Sequence, residues 1–175
     1  LNPKNKIWTV LNERESIRRY EKLIPVKFQY KAHVGWTPVV SEEINGIESF
    51  FKLENLSLSG SFKDRGAYVS LMKAKEIRKG VIVDSSGNSG IAFSLMGLIF
   101  KIPINVFLPS HTPVEKRNLL KLLGAKIHEV EGDREEVNRR AVESGIEGSV
   151  YMGHWWNPYF IEGTKTIAYE AFEQI

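Results

Sequence analysis

From Ile47 onward the apolar positions fall into two alternating rhythms. The stretch "IESFFKLE" has the aromatic and β-branched content of a strand, and "SFKDRGAYVSLMKAKEIRKG" then spaces its apolar residues as a helix does, up to a glycine stop at Gly80. The alternation repeats. "VIVDSS" predicts a short buried strand, "NSGIAFSLMGLIFK" an apolar helix and "INVFLP" another strand. "PVEKRNLLKLLG" predicts an amphipathic helix with Pro113 in its first turn and Gly124 past its end, "AKIHEVEG" a strand, "DREEVNRRAVESG" a helix opening on acidic residues, and "SVYMG" a last strand. "EGTKTIAYEAFEQI" predicts a closing helix. Residues 1 to 47 show only weak periodicity, with a turn at "GWTP" where Pro38 disfavours helix at Thr37.

Strands alternating with helices through short connections predict an α/β domain, an open parallel sheet with helices on both faces. In such sheets ligands collect at the carboxyl ends of strands, where helix N-termini present free amides. Two small, polar loops fall there: "LSLSGSFKDRG" and "DSSGNSG". In the second, Ser85, Ser86 and Ser89 offer hydroxyls, and Gly87 and Gly90 let backbone amides approach an anion closely. Asn88 has the plainer role of helix N-cap open to it. In the first loop Lys63 opens a helix, at the end of the dipole that disfavours a cation. Three readings follow: it binds an anion, it is a nucleophile with a depressed pKa helped by Arg65, or it is a solvated lysine paired with Asp64 or Asp84.

Composition narrows the chemistry. Twenty-four Lys and Arg against 21 Asp and Glu give a formal charge of +3, spread along the chain, so no nucleic-acid partner is expected. The absence of cysteine excludes disulfides and thiol catalysis, and His33, His111, His128 and His154 show no metal-binding spacing. No apolar run reaches the length of a membrane span and no signal peptide pattern opens the chain, so the expected setting is cytoplasmic with no membrane partner. The chain starts at Leu1 and stops at Ile175 inside a predicted helix, so both ends are expected to be cut.

"SGSFKDRG" and "SSGNSG", separated by a helix and a strand, resemble the two signature segments of fold type II pyridoxal-phosphate enzymes, the tryptophan synthase β superfamily. "GWTP", "VFLPSHTPVEKRNLLKLLGAKIHEVEGD" and "NPYFIEGTKTIAYEAFEQI" agree, and "RRYEKLIPV" points most towards threonine synthase. The resemblance implies pyridoxal 5'-phosphate as cofactor and a small-molecule amino-acid substrate. Lys63 would hold the cofactor covalently, then pass it to the substrate amine and move protons. Phe62 would lie beside the cofactor, Asn88 would hydrogen-bond its 3′ oxygen, and Ser85, Ser86, Gly87 and Ser89 would cradle the substrate carboxylate. His154 would contact the substrate, where with Trp155 it replaces the polar pair that helps hold the substrate phosphate in threonine synthases.

The resemblance also implies a division into residues 1–50 as an N-terminal segment of a larger lobe, 51–152 as a small α/β lobe, and 153–175 as the start of the larger lobe. No glycine-rich phosphate loop follows Ile161, so the fold is expected to be truncated. Where threonine synthases carry a polar pair and an arginine for the substrate phosphate, this chain reads "GHWWNPYF", with Phe160 at the arginine position. The aromatics Trp155, Trp156, Tyr159 and Phe160 have an alternative as a core cluster between lobes. The leading expectation is a carbon–oxygen lyase of threonine synthase type, with a threonine or serine dehydratase as first alternative and a non-catalytic lobe binding a carboxylate or a partner as second. Exposed faces left by truncation predict self-association, most simply a homodimer.

Overall fold

A computed structural model describes residues 16–175. A 3-10 helix at Ile17–Leu23 is capped by the Ser16 hydroxyl, which accepts from the Arg18 amide at 3.2 Å. The chain then forms a hairpin, β1 (Val39–Ile44) and β2 (Ile47–Lys52), paired antiparallel. Asn45 and Gly46 sit between them with φ of 53° and 78°, the pair of left-handed residues that a two-residue type I′ turn demands. Here the structure corrects the sequence reading. "IESFFK" is a strand, but it belongs to this separate two-stranded sheet and not to the parallel layer.

The parallel layer follows as α1 (Lys63–Glu76), β3 (Gly80–Val83), α2 (Asn88–Phe100), β4 (Ile104–Pro109), α3 (Val114–Leu122), β5 (Lys126–Val130), α4 (Arg134–Glu143) and β6 (Ser149–Tyr151). Strand order is β5-β4-β3-β6, with every neighbouring pair parallel. The strand residues alternate between two cores. Val81, Val83, Ile104, Val106 and Leu108 face α1, α2 and α3, while Ile82 and Phe107 face Val137 and Ala141 of α4. With both faces covered, β3 is buried throughout, as its unbroken apolar run predicts.

Chain order explains why α4 is alone on its face. The path β3–α2–β4–α3–β5 moves in one direction across the sheet, and α4 carries it back to place β6 on the far side of β3. Right-handed crossovers put helices on opposite faces when the direction reverses. The reversal opens a crevice between the carboxyl ends of β3 and β6, the position where open α/β sheets take ligands.

The final segment also departs from expectation. "EGTKTIAYEAFEQI" is not one helix; α5 (Pro158–Thr164) and α6 (Thr166–Gln174) meet at Lys165. Helix α5 lies close along α1 because both are notched. A Cβ on Gly66 would stand 2.6 Å from the Phe160 ring, and one on Gly163 would stand 2.1 Å from the Arg65 carbonyl oxygen. Among the described residues no helix is long and apolar enough to cross a membrane, and no cluster of potential metal ligands occurs.

Candidate active site

Lys63 is the first residue of α1 and is reached through a turn with Gly60 at φ 81°. Its neighbour Asp64 is fully buried and faces back along that turn, accepting from the Ser59 amide at 2.7 Å and from the Ser59 hydroxyl. Asp84, also buried, accepts from the Tyr151 hydroxyl at 2.9 Å and from Asn138 Nδ2 at 3.1 Å, with Arg134 at 3.4 Å. Neither carboxylate serves Lys63, so the ion-pair reading of this lysine fails. Its Nζ lies 4.1 Å from the Phe62 ring centroid and 5.8 Å from that of Phe160. Burial among these groups lowers its pKa from the usual lysine range.

Arg65 does not contribute to that lowering. Its guanidinium is fully buried and turned away into a cluster of charges, donating to Glu54 at 2.6 and 2.8 Å and to Glu170 at 2.6 and 2.7 Å. Lys52 completes the cluster, 2.9 Å from Glu170. Two cations thus meet two carboxylates beneath the start of α1.

Phe160 is the floor of the site. It is buried under Lys63 and stacks on Phe93 of α2 at 6.0 Å, so α1, α2 and α5 converge on one ring. The Asn157 side chain fixes where α5 begins: its Oδ1 accepts from the Tyr159 amide at 3.0 Å and its Nδ2 donates to Ser70 Oγ at 2.8 Å. The aromatic cluster that the sequence suggested therefore divides. Phe160 is core, whereas Trp155 and Trp156 are 66% and 82% exposed.

His154 leaves β6 and approaches the same floor, its ring 5.8 Å from Phe160 and 5.5 Å from Trp155. Burial, and then the nearby Lys63 charge, lower its pKa. Lys63 and His154 thus face each other electrostatically across the crevice.

The loop after β3 supplies the opposite wall. Ser85 is buried and its hydroxyl accepts from the Gly87 amide at 3.3 Å. Gly87 is the N-cap of α2, so Asn88 is not; Asn88 stands at the first helical position with its carboxamide exposed. A Cβ on Gly87 would meet nothing within 4 Å, whereas one on Gly90 would run into the Ser85 carbonyl oxygen at 1.9 Å. Gly90 lets the helix start fold onto its own loop, and Gly87 leaves the mouth of the loop open. Ser86 is half-buried at that mouth. Ser89 is 2% exposed and its Oγ has no hydrogen-bond partner among the described residues. The Oγ of Ser61, 7% exposed and two residues before Lys63, has none either. Sequence reasoning passed over Ser61, because a serine in a serine-rich turn carries no signal of burial.

Buried hydroxyls without a protein partner are rare, and at Ser61 and Ser89 a ligand or a water would complete the bonding. The donor set fits the cofactor that the resemblance implies: an amine biased towards its neutral form, an aromatic ring beside it, a free carboxamide, and a loop of hydroxyls and helix-start amides suited to a carboxylate.

Comparison with known proteins agrees. A family model described as pyridoxal-phosphate dependent enzyme matches residues 30–175. The chain is 31% identical to an L-threonine ammonia-lyase of Thermotoga maritima, over 83% of this chain and 37% of that protein. It is 30% identical to a threonine synthase of Methanosarcina acetivorans, over 93% and 42%. A serine racemase of Arabidopsis thaliana is 34% identical over 83% and 46%. The crystal structure of serine racemase from Dictyostelium discoideum superposes with a TM-score of 0.71 at 29% identity, covering 91% of this chain and 51% of that one. The chain thus spans less than half the length of each of these three curated relatives. With the family match covering both signature loops and the crevice between them, the chain belongs to the pyridoxal-phosphate dependent enzymes.

Proposed function

We propose that this chain forms the lysine-bearing half of a lyase that eliminates an uncharged side-chain hydroxyl from an amino acid, as a serine or threonine dehydratase does. One observation carries the choice. The floor beneath Lys63 is the buried ring of Phe160, which offers a substrate side chain an apolar contact and no charge-assisted donors. A threonine synthase activity on a phosphorylated substrate is the second reading, favoured by "RRYEKLIPV", in which Tyr20, Ile24 and Val26 are buried against the core.

Phe62 and Asn88 would flank pyridoxal phosphate, which when bound would supply the electron sink that makes the substrate Cα–H bond acidic. The chain's own residues do the rest. The Lys63 Nζ, desolvated and without an ion-pair partner among the described residues, is the group that holds the cofactor and then carries the Cα proton. Ser85, Ser86, Gly87 and Ser89 orient the substrate carboxylate with hydroxyls and helix-start amides. His154 faces the substrate side chain, and Phe160 and Phe93 keep water from the floor.

The test is the intact mass after incubation with pyridoxal phosphate and borohydride, followed by peptide mapping. One pyridoxyl group on Lys63, absent from Lys63→Ala, is expected. Modification spread over other lysines, or unchanged in the variant, would overturn the assignment. Release of ammonia from L-serine or L-threonine, set against release of phosphate from O-phosphohomoserine, separates the two readings.

A further inference from the structure

At the far end of the sheet from Lys63, where β3 and β4 begin, a cavity of about 650 Å³ is lined by Lys75, Arg78, Lys79 and Lys101. That volume lies within the range of small-molecule sites. The one carboxylate on its wall, Glu76, is engaged elsewhere: Oε1 accepts from the Lys27 amide at 2.8 Å and Oε2 pairs with Lys73 at 3.1 Å. Lys75 lies 5.2 Å from the Tyr30 ring centroid, and Arg78, Lys79 and Lys101 form no ion pair with a described residue.

Cations commonly gather at helix C-termini, and α1 and α2 both end here. That explanation falls short on two counts. Several of the terminal carbonyls are already met by backbone: Lys75 O accepts from the Ile77 and Arg78 amides, Ala74 O from Lys79, and Gly97 O from Lys101 and Ile102. Two helix ends also carry only about half a negative charge each, roughly one in total, against four positive groups. Roughly three positive charges face the cavity without a counter-charge.

The backbone adds a separate observation. Arg78 and Lys101 occupy the left-handed region, with φ of 53° and 55°, at helix ends where glycine is the ordinary choice. Two long cations hold positions that a glycine would fill with less strain, and retained strain of this kind marks a functional position.

We propose that this cavity binds a phosphorylated small molecule, a compact polyanion whose phosphate oxygens are held by Arg78, Lys79, Lys101 and Lys75. The site touches the end of the same helix that begins at Lys63, yet its existence does not depend on the chemistry there.

Pyrophosphate and ADP serve as probes in calorimetric titrations of the protein at about 0.15 M salt, where screening beyond roughly 8 Å suppresses diffuse attraction. Saturable binding is expected, weakened about tenfold or more, equivalent to roughly 1.4 kcal/mol, in the double variant Arg78→Gly, Lys101→Gly. Glycine suits both positions, so this variant keeps its thermal midpoint and the loss reads the site alone. ADP and pyrophosphate binding alike supports recognition of phosphate alone, and tighter ADP supports a nucleotide. No saturable heat, sulfate binding as tightly as pyrophosphate, or unchanged affinity in the double glycine variant overturns the proposal. So does a loss of pyrophosphate binding in Ser89→Ala, which would put the anion in the crevice instead.

Discussion

Lys63 was legible in the sequence because it breaks a rule. A cation opening a helix opposes the dipole, and such an opposition calls for a reason that composition alone does not give. The structure supplies the environment, burial against Phe62 and Phe160, and removes both proposed ion-pair partners. What the sequence could not show was Arg65. Its partner Glu170 lies 105 residues away, so nothing local to "SFKDRG" reveals that the arginine is committed elsewhere. The residue-scale prediction concerns protonation. With its pKa lowered by burial, the Lys63 amine is neutral at a lower pH than an exposed lysine. In competitive trace labelling with an acylating reagent over a pH series, the Lys63 profile is expected to rise at lower pH than that of a free lysine amide included as internal standard. Coincident profiles would contradict the desolvated environment.

Among the elements, the alternating pattern placed the helices and strands from α1 to β6, because burial on both sheet faces writes itself as apolar runs separated by glycine stops. Two features escaped. The Asn45–Gly46 turn is a strong local hairpin signal, yet β1 and β2 are largely exposed and show no clean alternation to frame it. The break between α5 and α6 at Lys165 has no proline to announce it in the sequence. The contact of α1 with α5 shows what their packing demands. Alanine is ordinarily the better residue in a helix, by about 1 kcal/mol over glycine. At Gly163 the sign reverses, because the added methyl meets the Arg65 carbonyl oxygen, which cannot move without shifting the helix. Gly163→Ala is expected to destabilise by about 1–3 kcal/mol, read as a lower urea midpoint at constant slope. A neutral or stabilising effect would mean that the two helices are not in close contact.

On the scale of the whole molecule, the cluster of Arg65, Lys52, Glu54 and Glu170 joins the hairpin, the start of α1 and α6. Its members balance, two positive and two negative, and Arg65 and Glu170 are fully buried. Burial holds the Glu170 carboxyl against its charged form, but its bonds with Arg65 prevail and lower the pKa. Breaking such a group leaves a charge without its partner, at a cost of about 3–5 kcal/mol. Glu170→Gln is expected to lose that much by chemical denaturation, since Lys52 is then left without its carboxylate while Arg65 keeps Glu54. Adding Lys52→Met to that variant restores the balance and should recover part of the loss. Additive losses in the double-mutant cycle would show that the charges are not coupled.

The strand order bears on how the crevice comes into being. Gly80 of β3 pairs with Ser149 of β6, and Val81 with Ile104 of β4, so the two neighbours of β3 arrive at very different times during synthesis. The β3–β4–β5 side is assembled from chain that has already emerged, while the other edge of β3 waits for residues near 150. Long-range parallel pairing is slow, because the loop entropy must be met before the contact forms. A ligand held between the loop of Ser85 to Ser89 and His154 requires β6 in place, and a nascent chain halted before β6 has no crevice to fill.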